Sequence, residues 1–133
     1  MKPRAVLILA ALAFATACSS SPAQTAKDAN ALACDNFRMH VGDTGKAFTD
    51  LGKGTITVAD ALKAMQSGQK NAADDASFST GAVQSSLSTV ADALGRIRVS
   101  MTAQGEAGLT TPLADEYVKD LHATEAACTA IKH

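Results

Sequence analysis

Apolar side chains recur at alternating spacings of three and four through four successive stretches of the chain. That repeat gathers them on one face of an α-helix and does not fit the two-residue alternation of a half-buried strand. The first face is Cys34, Phe37, Val41, Thr44, Phe48 and Leu51. The second is Val58, Leu62, Met65, Gln69, Ala72 and Ala76. The third, Val83, Leu87, Val90, Leu94, Ile97 and Met101, is the most regular. The fourth is Leu113, Tyr117, Leu121, Thr124, Cys128 and Ile131. The second is the weakest, because Gln69 falls in its seam with Gln66, Ser67 and Gly68 around it. A marginal helix with a partly wet seam accounts for this; a ligand pocket or hinge at Gln69 is the alternative.

The punctuation agrees with four helices. Gly52-Lys53-Gly54 suits a left-handed helix end. Thr57 is an N-cap with Asp60 in the capping-box position. Ser77 to Gly81 reads as a turn, and Gly105 and Gly108 close the third helix. Thr111-Pro112 opens the fourth, with Thr111 as cap and Pro at the first helical position. Gly42 and Gly45 lie inside the first helix, where each costs up to about 1 kcal/mol against Ala. Close helix approach or a mild bend there is the expectation, a true break the alternative. Connections of about 4 to 9 residues favour antiparallel neighbours. The expected fold is all-α, an antiparallel up-down-up-down four-helix bundle over residues 28–133, after a cleaved signal helix.

Composition sharpens this. About a fifth of the chain is Ala, aromatics are 4% and there is no Trp. Such a chain suits one small helical domain with closely approaching helices. So few aromatics argue against a surface that stacks nucleic-acid bases. A formal net charge of −1 gives no basic field for a phosphate backbone. No nucleic-acid partner is expected.

Residues 1–17 read as an export signal. Lys2 and Arg4 precede an uncharged apolar run from Ala5 to Phe14. That run is shorter than the roughly 20 residues a permanent membrane helix needs, and it fits a signal's hydrophobic region. Ala15-Thr16-Ala17 supplies small residues for cleavage and would serve an ordinary cleaved signal too. With the next residue, Ala15-Thr16-Ala17-Cys18 resembles the lipobox of bacterial lipoproteins, with Ala15 in place of the usual Leu. The resemblance covers only the first twenty or so residues. It implies that the Cys18 thiol is joined to diacylglycerol and that Cys18 becomes the first residue of the mature chain. Ser19-Ser20-Ser21-Pro22 looks like the polar tether of that family, so residues 18–27 are expected to be a lipidated Cys and a flexible leash. Nine extended residues reach roughly 30 Å. Each buried CH₂ adds about 0.8 kcal/mol of membrane affinity, and two acyl chains hold far better than one. Membrane lipid, engaged through acylated Cys18, is thus one expected partner. Loss of Lys2 and Arg4 with the signal moves the formal balance to about −3. The composition also resembles small lipoproteins of high-GC bacteria such as actinobacteria, many of which have no assigned activity.

Cys34 lies 17 residues before Leu51, and Cys128 lies 17 after Thr111. At 1.5 Å per residue both stand roughly 25 Å from the same end of the bundle. If the first and fourth helices are antiparallel neighbours, the two thiols are level and face each other. An exported chain also meets an oxidising compartment. The expectation is a Cys34–Cys128 disulfide, against the alternative of two free buried thiols.

Other chemistry is sparse. His40 and His122 stand at matching heights beside the apolar stripes, and Met39 adjoins His40. Two imidazoles without a third ligand make a weak zinc site. A di-iron bundle needs inward carboxylates and Glu-x-x-His pairs. The chain has only Glu106, Glu116 and Glu125, and His122 to Glu125 runs in the reverse order. Gly42-Asp43-Thr44-Gly45 and Gly52-Lys53-Gly54 lack the flanking strand of a phosphate loop. No catalytic triad is legible among the Ser residues. No metal, cofactor or enzymatic activity is therefore expected.

The expected function is a non-enzymatic binding or structural role on the extracytoplasmic face of the cell membrane, with another envelope protein as partner. The polar second helix and the Arg96/Arg98 edge are the surfaces to test, and both Arg side chains are expected to extend into solvent. One alternative is small-molecule or metal carriage inside the bundle. Another is a phage- or prophage-encoded lipoprotein that excludes superinfection.

Overall fold

The computed structural model describes residues 21–131. The expected signal, Cys18 and His133 lie outside the described residues. Four helices pack against one another: α1 Pro22–Gly52, α2 Val58–Phe78, α3 Gly81–Gln104 and α4 Thr111–Thr129. A 3-10 turn, Gly105–Gly108, precedes α4. No strand occurs among the described residues, and no helix there is long and apolar enough to cross a membrane. The backbones of α1 and α2, α2 and α3, and α3 and α4 run close together. Those of α1 and α4 approach at few positions.

The first helix starts earlier than expected. Residues 22–27 were read as part of a flexible tether, yet the helix begins at Pro22. Ser21 Oγ accepts a hydrogen bond from the Gln24 backbone N–H at 3.2 Å, and Pro22 presets the first turn. Gln24 Nε2 then donates to Asp28 Oδ1 at 2.8 Å. One turn further, the Asn30 amide ties α1 to the α2–α3 link. Its Oδ1 accepts from Thr80 N at 2.8 Å, and its Nδ2 donates to Thr80 O at 3.3 Å.

The α2–α3 link is also shorter than the expected turn over Ser77 to Gly81. The second helix runs through Phe78 and leaves only Ser79 and Thr80 between helices. Side chains satisfy its last carbonyls, as a helix end requires. Ser79 Oγ donates to Ala76 O at 3.3 Å, and Gln84 Nε2 donates to the same oxygen at 3.2 Å. Elsewhere the expected punctuation is present. Thr57 Oγ1 accepts from Asp60 N at 3.1 Å, and Gly54 and Gly105 are left-handed. The fourth helix, however, departs from the expectation: Thr110, not Thr111, is its N-cap, with no side-chain cap bond, and Pro112 stands at the second helical position.

Gly42 and Gly45 neither break α1 nor mark a close approach. A Cβ at either would meet nothing within 4 Å. The close approaches are at Gly68, Gly95 and Gly108. A Cβ on Gly108 would strike the Ser100 carbonyl and the Met101 nitrogen, so the 3-10 turn folds tightly onto α3.

The core forms two apolar clusters. One joins Leu51, Ala61, Met65, Leu94, Ile97, Met101 and Tyr117. The other joins Ala33, Cys34, Phe37, Ala76, Val83, Leu87 and Cys128. All six residues of the third stripe are buried, so α3 supplies most of the large core side chains. Truncating one such Leu or Ile to Ala costs about 2–5 kcal/mol.

Candidate functional site

The seam between α1 and α4 is held by side chains rather than by close backbones. Cys34 and Cys128 meet at disulfide distance, with Cα atoms 5.7 Å apart. Arg38 donates to Glu125 across the same seam, with Nη2 to Oε1 at 2.7 Å. That hydrogen bond holds the Glu125 carboxyl below the usual carboxylate range and raises Arg38. Both side chains are about half exposed, so solvent screens the pair and its contribution is small. Toward the other end of the seam the Phe48 and Tyr117 rings lie 5.4 Å apart.

His40 is half-buried and His122 is exposed. Among the described residues, no group of three or more His, Cys, Asp or Glu stands close enough to hold a metal ion. Met39 is exposed on the surface of α1.

Gln69 and the Arg96/Arg98 edge are brought together. A groove of about 810 Å³ runs along the outward side of α3, lined by Gln69, Gly95, Arg96, Arg98 and Val99, among others. Gly95 allows this arrangement: a Cβ there would lie 2.9 Å from Gln69 Nε2, so the amide rests against the α3 backbone. Arg98 Nη1 donates to Gln69 Oε1 at 2.5 Å. The Arg98 side chain therefore folds back onto α2, contrary to the expectation that it extends into solvent. Its Nε is buried without a partner among the described residues. Such an orphan donor costs about 1–3 kcal/mol, which the fit of the rest of the side chain must offset. Arg96 does reach outward, where its Nη2 donates to Glu116 Oε1 at 2.6 Å. Val99 stands in the groove with 73% of its surface exposed.

Between the two apolar clusters lies a polar layer that the sequence reading missed. Asp75 is only 5% exposed, and Thr44 and Tyr117 are equally enclosed. Asn36 Nδ2 donates to Asp75 Oδ1 at 3.0 Å. Burial pushes the Asp75 carboxyl above its usual range, against the opposing pull of Asn36 and His40. Burial also pushes the Tyr117 phenol up to about 12. The available signal was positional. Asp75 lies three residues after Ala72 and beside Ala76, on the inward face of α2.

No family model matches the chain, and neither the curated proteins nor the solved structures contain a match to it.

Proposed function

We propose that the chain is an exported lipoprotein, anchored through acylated Cys18, that presents a stapled up-down-up-down bundle to a protein partner in the cell envelope. The observation that carries this reading is the Cys34–Cys128 pair at disulfide distance. A staple of that kind persists in an oxidising compartment and not in the cytosol. Export agrees with the lipobox-like Ala15-Thr16-Ala17-Cys18. Alternating helix directions are supported by the cross-seam pairs. Cys34 with Cys128, Arg38 with Glu125 and Phe48 with Tyr117 ascend α1 as they descend α4.

The docking surface in this reading is the groove along α3. Its polar groups are the Arg96 and Arg98 guanidiniums, the Gln69 amide, the Asp92 carboxylate and the Ser100 and Thr102 hydroxyls, set around an exposed Val99, and a mixed polar rim about an apolar residue suits a protein contact. Carriage of an apolar ligand inside the bundle is disfavoured by volume. The cavity in the polar layer measures about 20 Å³, far below the roughly 300 Å³ and more of ligand pockets.

Two measurements test the proposal. Cells fed a clickable fatty acid should label the wild-type chain and not Cys18→Ala; equal labelling would refute the anchor. A photo-crosslinker at Val99 should capture one envelope protein, whereas one at exposed Ser85 should not. Identical capture from both positions would refute the docking surface.

A further inference from the structure

The polar layer borders a partly open cavity of about 20 Å³ lined by residues of all four helices. A site needs about 10–15 Å³ of such space to hold one water, together with two to four polar partners. The partners are present. Asp75, Thr44, Asn71, His40 and Tyr117 all line the cavity. Asp75 carries a single hydrogen bond from another side chain, that of Asn36. Thr44 and Tyr117 bring two hydroxyls to the cavity on side chains that are more than nine-tenths buried.

We infer that this cavity is a binding site for one water molecule, which donates to the Asp75 carboxylate and accepts from a Thr44 or Tyr117 hydroxyl. Buried polar groups in native proteins are nearly always paired, and ordered water serves where no protein group reaches. A buried carboxylate raises the demand for donors further. No Lys or Arg lines the cavity to meet it. The titratable groups facing Asp75 are His40 from α1, Tyr117 from α4 and Asp74 on its own helix, while α3 contributes apolar Val90 and Leu94. The local sequence is fitted to this arrangement. Gly68 on α2 admits the Thr44 hydroxyl, because a Cβ at that position would overlap Thr44 Oγ1.

The test is water–protein cross-relaxation by NMR on the detergent-purified protein. The readout is on the Val41 and Leu121 methyls, which line the cavity and carry no exchangeable proton. Wild type should give cross-peaks to water with the sign of a long-lived bound molecule. The Thr44→Val/Tyr117→Phe double variant should lose them. Should that variant fail to fold, Tyr117→Phe alone should weaken them. Absence of the peaks in wild type, or their persistence unchanged in the folded variant, overturns the assignment. So does a melting temperature that rises when sodium replaces choline at constant ionic strength, which would mark the guest as a cation.

Discussion

Replacing both Cys34 and Cys128 with Ser removes the only covalent tie between α1 and α4 among the described residues, and leaves no odd thiol to mispair. The two cysteines are 94 residues apart. In the chain-entropy account, opening a loop of that length releases about 16 cal/mol/K in the unfolded chain, or roughly 4.7 kcal/mol at 25 °C. A domain of this size is typically stable by about 5–15 kcal/mol, so the loss takes a third or more of the total. At about 4–8 °C per kcal/mol, the melting temperature should fall by roughly 19–38 °C. The double variant and the oxidised wild type are compared by urea unfolding followed by circular dichroism. Because the bridge keeps the unfolded chain compact, the variant should also show a steeper dependence on urea. A loss below about 1 kcal/mol, or an unchanged slope, would refute the reasoning that the bond acts through the unfolded state.

Four further outcomes follow from single features. Asn30→Ala removes both hydrogen bonds to Thr80 and should cost about 1–2 kcal/mol in the same unfolding assay. Gly108→Ala should destabilise by about 1–3 kcal/mol through its clash with the Ser100–Met101 backbone. Gly42→Ala, which meets open space inside α1, should instead stabilise by up to about 1 kcal/mol; equal effects at the two positions would contradict the packing described. Asp75 binds its proton more tightly in the folded chain than in the unfolded one. Its contribution is therefore fully present below the unfolded value of about 3.9 and is lost as pH rises through the higher folded value. Stability of wild type relative to Asp75→Asn should fall as pH is raised from about 3 to 7, and a difference that stays flat would discount the shift.

Large side chains made most of the fold legible. The stripe from Val83 to Met101 could be read from periodicity alone, because each member is large, apolar and buried. Thr57 and Gly54 were equally readable, since cap and turn chemistry is local. The failures share a different cause. Pro22 starts a helix because Ser21 caps it, a local signal outweighed in the reading by Ser-rich composition. Ala33, Ala47 and Ala61 are buried, but in a chain this rich in Ala a single Ala carries little positional information. Asp75 was passed over because charge suggests solvent, and its Asn36 partner lies 39 residues away. Gln69 was singled out as the polar member of its seam, and its amide lies against Gly95 in an unbroken helix. Its partner Arg98 could not be named, because that contact depends on the missing side chain of Gly95 in another helix.

The early start of α1 sets a limit on posture. In a chain held in a bilayer at Cys18, two residues lie between the lipid attachment and the Ser21 cap, a span of at most about 10 Å. The helix then climbs 1.5 Å per residue, so Cys34 and the Cys128 joined to it sit roughly 18 Å beyond Pro22 along α1. A bundle mounted this way would be joined to the bilayer by that short span in place of a leash of roughly 30 Å. Its reach toward any partner would then be set by the length of its helices.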